Sequence, residues 1–281
     1  STIGGSEAAG NGVCNAYSTQ QVAGWPVMPC VTDRFYDAGN VYDATDDAPG
    51  SGKWLNGHGG DRMSLAVDSS NTAPASKIGL SSADPADHWN YNSNGTCEDI
   101  DPADEILPLT SNKTALQARI NGLRAYGSTG GALGTAWTWY TLSPTWSSVW
   151  STGVSASGNT PAPYGDLTTT QANGQPKLRK VAVLMTDGGY NTYRGWKGES
   201  QQQVSDYATQ LCTNMKAKGI EVFTVGFALD QLSTAEQSIA RSTLQACGSD
   251  VSHFYETMTA VQLQQAFRDI AVKLSSLYLS K

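Results

Sequence analysis

The feature that most limits how this chain can fold is Val181-Ala182-Val183-Leu184-Met185, five apolar residues with no polar interruption. A short, uniformly apolar run suits a strand covered on both faces, as in a parallel sheet under helices. The segments that follow agree. From about Ser200 to Lys218 the apolar residues are Val204, Tyr207, Ala208, Leu211, Cys212 and Met215, at spacings of 3, 1, 3, 1 and 3. That is the stripe of an amphipathic helix. Lys216 and Lys218 suit its negative end, and Gly219 suits the position just past it. Ile220 to Ala228 reads as a second buried strand. Ser233 with Glu236 predicts a capping box for a helix ending near Cys247-Gly248, and His253-Phe254-Tyr255 a third, short strand. Thr259 with Gln262 predicts another capping box. The helix it opens should bury Leu263, Ala266, Phe267, Ile270, Leu274 and Leu277. Strand and helix alternating three times predicts an α/β fold, a three-layer, doubly wound, mostly parallel sheet of Rossmann-like form.

Residues 1–105 have a different texture. Gly, Pro, Ser, Asn and Asp recur every few positions, and no helical period is sustained. Twelve aspartates lie between Asp33 and Asp104, and Trp25, Phe35, Tyr36, Tyr42, Trp54, Trp89 and Tyr91 supply material for a small core. This reads as a loop-rich lobe, inserted in or preceding an α/β domain over 106–281. That domain opens with Ile106-Leu107-Pro108-Leu109 as a candidate strand. A helix N-capped by Ser111 follows, with Leu116, Ile120 and Leu123 on one face. Gly127 to Gly134 is a small-residue turn, a second helix covers Ala132 to Tyr140, and 141–178 returns to loop as an insertion.

Carboxylates outnumber Lys plus Arg by 25 to 18, which argues against nucleic acid or an anionic membrane as partner and suits hard cations. No apolar run approaches ~18 residues, so any membrane anchor is expected upstream of Ser1. A chain opening on Ser1 is expected to be a processed or cut form of something longer; its weakly charged polar composition is common in extracellular proteins, and the expected location is the periplasm, the outer membrane or the cell surface and beyond. The cysteines at 14, 30, 97, 212 and 247 include no zinc spacing, so disulfides are the better reading. Cys212 can pair with Cys247. Within the lobe, Cys30 can pair with Cys97 or with Cys14, and one cysteine is left odd. No nucleophile elbow, zinc-protease, P-loop or dinucleotide string occurs.

In an open parallel sheet, ligands bind beyond the carboxyl ends of the strands. The strand at 181–185 leads into Thr186-Asp187-Gly188-Gly189, so Asp187 stands at that rim, placed to hold a hard cation. The alternative is an aspartate that only starts a turn. More of the chain carries the likeness. Val-Leu-Met-Thr-Asp-Gly at 183–188 with Lys-Gly-Ile-Glu-Val-Phe-Thr-Val-Gly-Phe at 218–227 resembles the central strands of a von Willebrand factor A domain. Ile-Leu-Pro-Leu-Thr at 106–110, Leu-Gly-Thr-Ala-Trp-Thr-Trp-Tyr-Thr-Leu-Ser-Pro at 133–144 and Leu-Ser-Ser-Leu-Tyr-Leu-Ser-Lys at 274–281 are similar to TadG-like proteins of tight-adherence (Flp) pilus assembly. The resemblance implies a metal-dependent adhesion site in which Thr129 and Asp187 are ligands to Mg²⁺, or to Ca²⁺ or Mn²⁺. It also implies a loop of the form Asp-x-Ser-x-Ser ahead of both. The nearest string, Asp68-Ser69-Ser70-Asn71-Thr72, lacks the long helix that should follow, so that loop is expected upstream or in another chain.

Three functional expectations follow. The first is a non-enzymatic bacterial adhesion or pilus-assembly protein, whose partner is a pilus or cell-envelope component or an extracellular ligand. The second is a structural subunit of a surface filament, its sheet completed by a separate strand. The third is a secreted hydrolase with the Asp- and aromatic-rich lobe as its cleft. Asp43, Asp46 and Asp47 are candidates for Ca²⁺ or for solvated turns. Trp137, Trp139, Trp146 and Trp150 are candidates for a binding platform or for core. His253 reads as structural.

Overall fold

A computed structural model describes residues 35–36, 41–47, 106–123, 129–147, 150, 160–172, 174, 176–190 and 200–275. The chain divides into two compact units, 1–127 with 140–161, and 128–139 with 162–281.

In the first unit, β1 (Phe35–Tyr36) pairs antiparallel with β2 (Val41–Tyr42). Past β2 the chain turns through two buried aspartates. Asp43 accepts hydrogen bonds from the Thr45 amide and hydroxyl, and Asp46 accepts one from the Ser143 hydroxyl. The Tyr140 and Trp146 rings stack at 4.1 Å, and the Trp150 indole donates to the Tyr140 carbonyl. Trp146 and Trp150 are buried here, as are Trp137 and Trp139 in the second unit, so all four are core and not an exposed platform.

Helix α1 (Lys113–Gly122) forms one residue later than expected. Its N-cap is Asn112, whose side chain accepts from the Ala115 amide, and not Ser111. Its apolar positions do not form a core face, since Leu116 is 40% exposed and Ile120 and Leu123 are each 65% exposed. Ile106 to Leu109 is not a strand; Pro108 in its middle has no N–H to give a ladder.

The second unit holds the parallel sheet. Strands β3 (Val181–Thr186), β4 (Glu221–Phe227) and β5 (Phe254–Thr257) lie in the order β3-β4-β5, Val181 opposite Glu221 and Thr224 opposite Phe254. Helix α2 (Gly131–Leu142) belongs to this unit through residue 139. Helix α3 (Gln201–Ala217) starts at a capping box of Ser200 and Gln203 and stops at Gly219, whose φ of +83° only glycine adopts without strain. Helix α4 (Thr234–Cys247) starts at the expected Ser233–Glu236 box. In helix α5 (Ala260–Ser275), Thr259 and Gln262 bond reciprocally as predicted.

Alternation along β4 explains the layers. Thr224 donates its hydroxyl to the Leu244 carbonyl, and Leu244 packs with Leu229 and Ala240, so α4 covers that face. Phe223 and Val225 point to the opposite face and pack on Ile270 of α5, with Leu263 and Leu274 at its margin. Helices therefore lie on both faces of an α/β, Rossmann-like sheet. Phe267 is an exception to the expected buried set, being 40% exposed, and Leu277 lies outside the described residues. His253 belongs to the single 3-10 turn that leads into β5.

The disulfide joins Cys212 on α3 to Cys247 at the end of α4, within the α/β unit and not in the N-terminal lobe. Cys14, Cys30 and Cys97 lie outside the described residues, as does Asp68-Ser69-Ser70-Asn71-Thr72. Among the described residues no helix is long and apolar enough to cross a membrane.

Candidate functional site

Strand β3 delivers Asp187 to the carboxyl end of the sheet, where it is exposed. The four residues around it leave the loop little freedom. The Thr186 hydroxyl donates to the Gly188 carbonyl at 2.9 Å and accepts from the Gly188 amide at 3.2 Å. Gly188 faces Thr129: a Cβ there would lie 3.1 Å from the Thr129 hydroxyl oxygen. Gly189 lies against the Gln201 amide group at the start of α3, so closely that a Cβ would collide with it. Tyr190 then turns inward and is only 6% exposed. Its ring lies on the backbone of Gly131, where a Cβ would stand 1.9 Å from a ring carbon.

Two loops distant in sequence are thus brought into contact, the one holding Thr129 before α2 and the one holding Asp187 after β3. Both predicted ligand positions stand at the same rim. Tyr190, Gly131 and Gln201 were not anticipated. The signal available was the adjacent Gly188-Gly189 pair, since consecutive glycines often mark close approach of neighbours.

Burial pushes the Tyr190 phenol up to about 12, with a hydrogen bond to Thr135 opposing the shift. The phenol is therefore neutral near pH 7. Thr135 in turn donates to the Gly131 carbonyl at 2.8 Å. A groove of about 330 Å³ runs alongside, lined by Thr129, Gly134, Thr138, Val183, Met185 and Tyr190 among others.

The opposite end of the sheet is closed by charge. Glu221 opens β4 and is paired to Arg179, and the His253 ring lies between Glu221 Oε1 at 3.0 Å and Asp250 Oδ1 at 2.8 Å. Burial raises the Glu221 carboxyl, but bonds to Arg179 and His253 outweigh it and hold it below its ordinary value. The bond to His253, then those to Ser252, hold Asp250 down to about 2. His253 also packs on Phe223, with ring centroids 4.4 Å apart. Its role here is to fasten the turn before β5 to β4.

The chain matches the von Willebrand factor type A domain family over residues 164–269. The match covers 106 of the chain's 281 residues. That match takes in Asp187 and all three strands of the parallel sheet, while Thr129 lies ahead of it. No curated protein and no solved structure is detectably similar to the chain. An A domain is in general an interaction module and not a catalyst, and it points to a protein-interaction or adhesion role.

Among the described residues no cluster of three or more His, Cys, Asp or Glu side chains could hold a metal ion. The rim beyond β3 offers a different donor set, the Asp187 carboxylate and the Thr129 hydroxyl. Both are hard oxygen donors of the kind Mg²⁺ accepts, and Mg²⁺ ordinarily keeps several waters beside one or two protein oxygens. The residues present fit such an ion as part of its coordination sphere. In the first unit Asp43 and Asp46 are engaged by Thr45 and Ser143, and most other aspartates of the lobe lie outside the described residues.

Proposed function

We propose that this chain is part of a bacterial adhesion or pilus-assembly protein of the TadG-like type. It would act outside the cytoplasm and bind a protein partner through a divalent cation at Thr129 and Asp187. The observation that carries the reading is the approach of Gly188 to the Thr129 hydroxyl, which sets the two oxygen donors on adjacent loops at the rim of the A domain. When bound, the cation would supply an electrophilic open position for an acidic side chain of the partner. Asp187 would hold the ion through its carboxylate, and Thr129 through its hydroxyl. The pilus setting rests on the sequence likeness over 106–281 alone. The partner would be a pilus or cell-envelope component or an extracellular ligand.

Titration of the whole chain with Mg²⁺ and Mn²⁺ by calorimetry tests the metal. Wild type should bind one ion that EDTA removes, and Asp187→Ala should lose most of the affinity. Equal affinity in the two proteins would overturn the assignment.

A second reading has its own support. Among the described residues nothing pairs with the outer edge of β3, and Val183 and Met185 on that strand are 36% and 47% exposed. An edge strand of this apolar character is a template for another strand. The subunit could accordingly be completed by a strand from elsewhere, as a filament component would be. Among the described residues the secreted-hydrolase reading gains nothing comparable, because the two His253–carboxylate contacts fasten a turn at the amino end of the sheet.

A further inference from the structure

We infer that Tyr190 is a positioning residue that sets the Thr129 loop against Asp187 by packing its ring on Gly131. This rests on the proposed role of Thr129 and Asp187. Tyr190 follows Asp187 by three positions, so its backbone moves with the Asp187 loop. Its ring occupies the space where any side chain at 131 would stand, and Gly131 begins the helix that follows Thr129 directly. Thr135, one helical turn further along α2, lines the same groove as the ring. Removing the ring would free the start of α2 to shift, and the only remaining tie among the contacts above would be Gly188 against Thr129.

The division of labour is specific. The ring does the positioning, and a phenylalanine would keep it. Gly131 is the complement: a methyl group there cannot coexist with the ring in its present place.

Amide NMR of the ion-free whole chain, followed by Mg²⁺ titration of the same samples, tests this. With Tyr190→Ala the Gly188 and Thr129 amide signals should move, while those of β4 and α4 stay in place. Mg²⁺ affinity should then fall about tenfold or more, the usual cost of losing a group that orients a ligand. Tyr190→Phe should keep both the amide positions and most of the affinity. Gly131→Ala should reproduce the Tyr190→Ala shifts with the tyrosine still present. Unmoved Gly188 and Thr129 amides in Tyr190→Ala would overturn the inference, whatever the metal does. If wild type binds no ion, the metal assignment fails by itself and the ion-free amide shifts still decide the positioning role. Should Tyr190→Ala not fold, Tyr190→Leu, which fills much of the space without a flat face, is judged by the same two amides.

Discussion

The two ends of the parallel sheet face opposite chemical situations. At the amino end Arg179, Glu221, His253 and Asp250 are paired in one network, Lys216 donates to the carbonyls of Ala246 and Gly248, and the Cys212–Cys247 bridge ties α3 to α4. At the carboxyl end glycines admit close neighbours around the Asp187 loop, and the Asp187 carboxylate is exposed. The two ends show that holding a loop still and keeping its charged group exposed are compatible when packing does the holding.

The contrast can be broken most forcefully at the bridge. A disulfide spanning 35 residues contributes ~3–4 kcal/mol by loop-closure entropy. Reduction, or Cys247→Ala with Cys212→Ala, should therefore lower the urea midpoint clearly while leaving the Asp187 loop amides in place. If those amides move with the bridge, the two ends are not separable. Acid gives a smaller effect. Glu221 and Asp250 are both held below their unfolded values, so their stabilisation is complete above about pH 5 and is lost as pH falls from about 4 toward about 2. Stability measured against pH should drop over that window, and Asp250→Asn should flatten the drop. Superimposable curves would remove the amino-end network from the account. The smallest effect belongs to Asp187→Ala, which should change stability by no more than about 0.5 kcal/mol, as befits an exposed side chain outside the core. A larger loss would make Asp187 a structural residue.

Legibility in the sequence followed the range of the interactions. The strand at 181–186 and the helix at 201–217 could be read because period and capping are local, and the Ser233–Glu236 and Thr259–Gln262 boxes because each closes within four residues. The box at Ser200 has the same form and could have been found the same way. Leu116 and Ile120 have helical spacing and do lie on a helix, but spacing cannot say whether anything packs on them, and here they are exposed. Phe267 fails for the same reason at the margin of α5. The candidate site was legible only as two separate positions. Asp187 follows from a strand end and a glycine turn, and Thr129 from the family likeness. Tyr190 on Gly131 joins positions far apart in sequence, and neither residue type announces the other.

The strand order has a kinetic consequence. Val181 meets Glu221 across 40 residues, and Thr224 meets Phe254 across 30. Loop-closure cost grows only with the logarithm of length, so the two closures differ by about 0.3 kcal/mol. Entropy thus gives neither β3–β4 nor β4–β5 a head start. Order of emergence does: in a chain that comes out amino end first, β4 is out before Cys247, so the first pairing of the sheet is free to form while Cys212 is still a thiol.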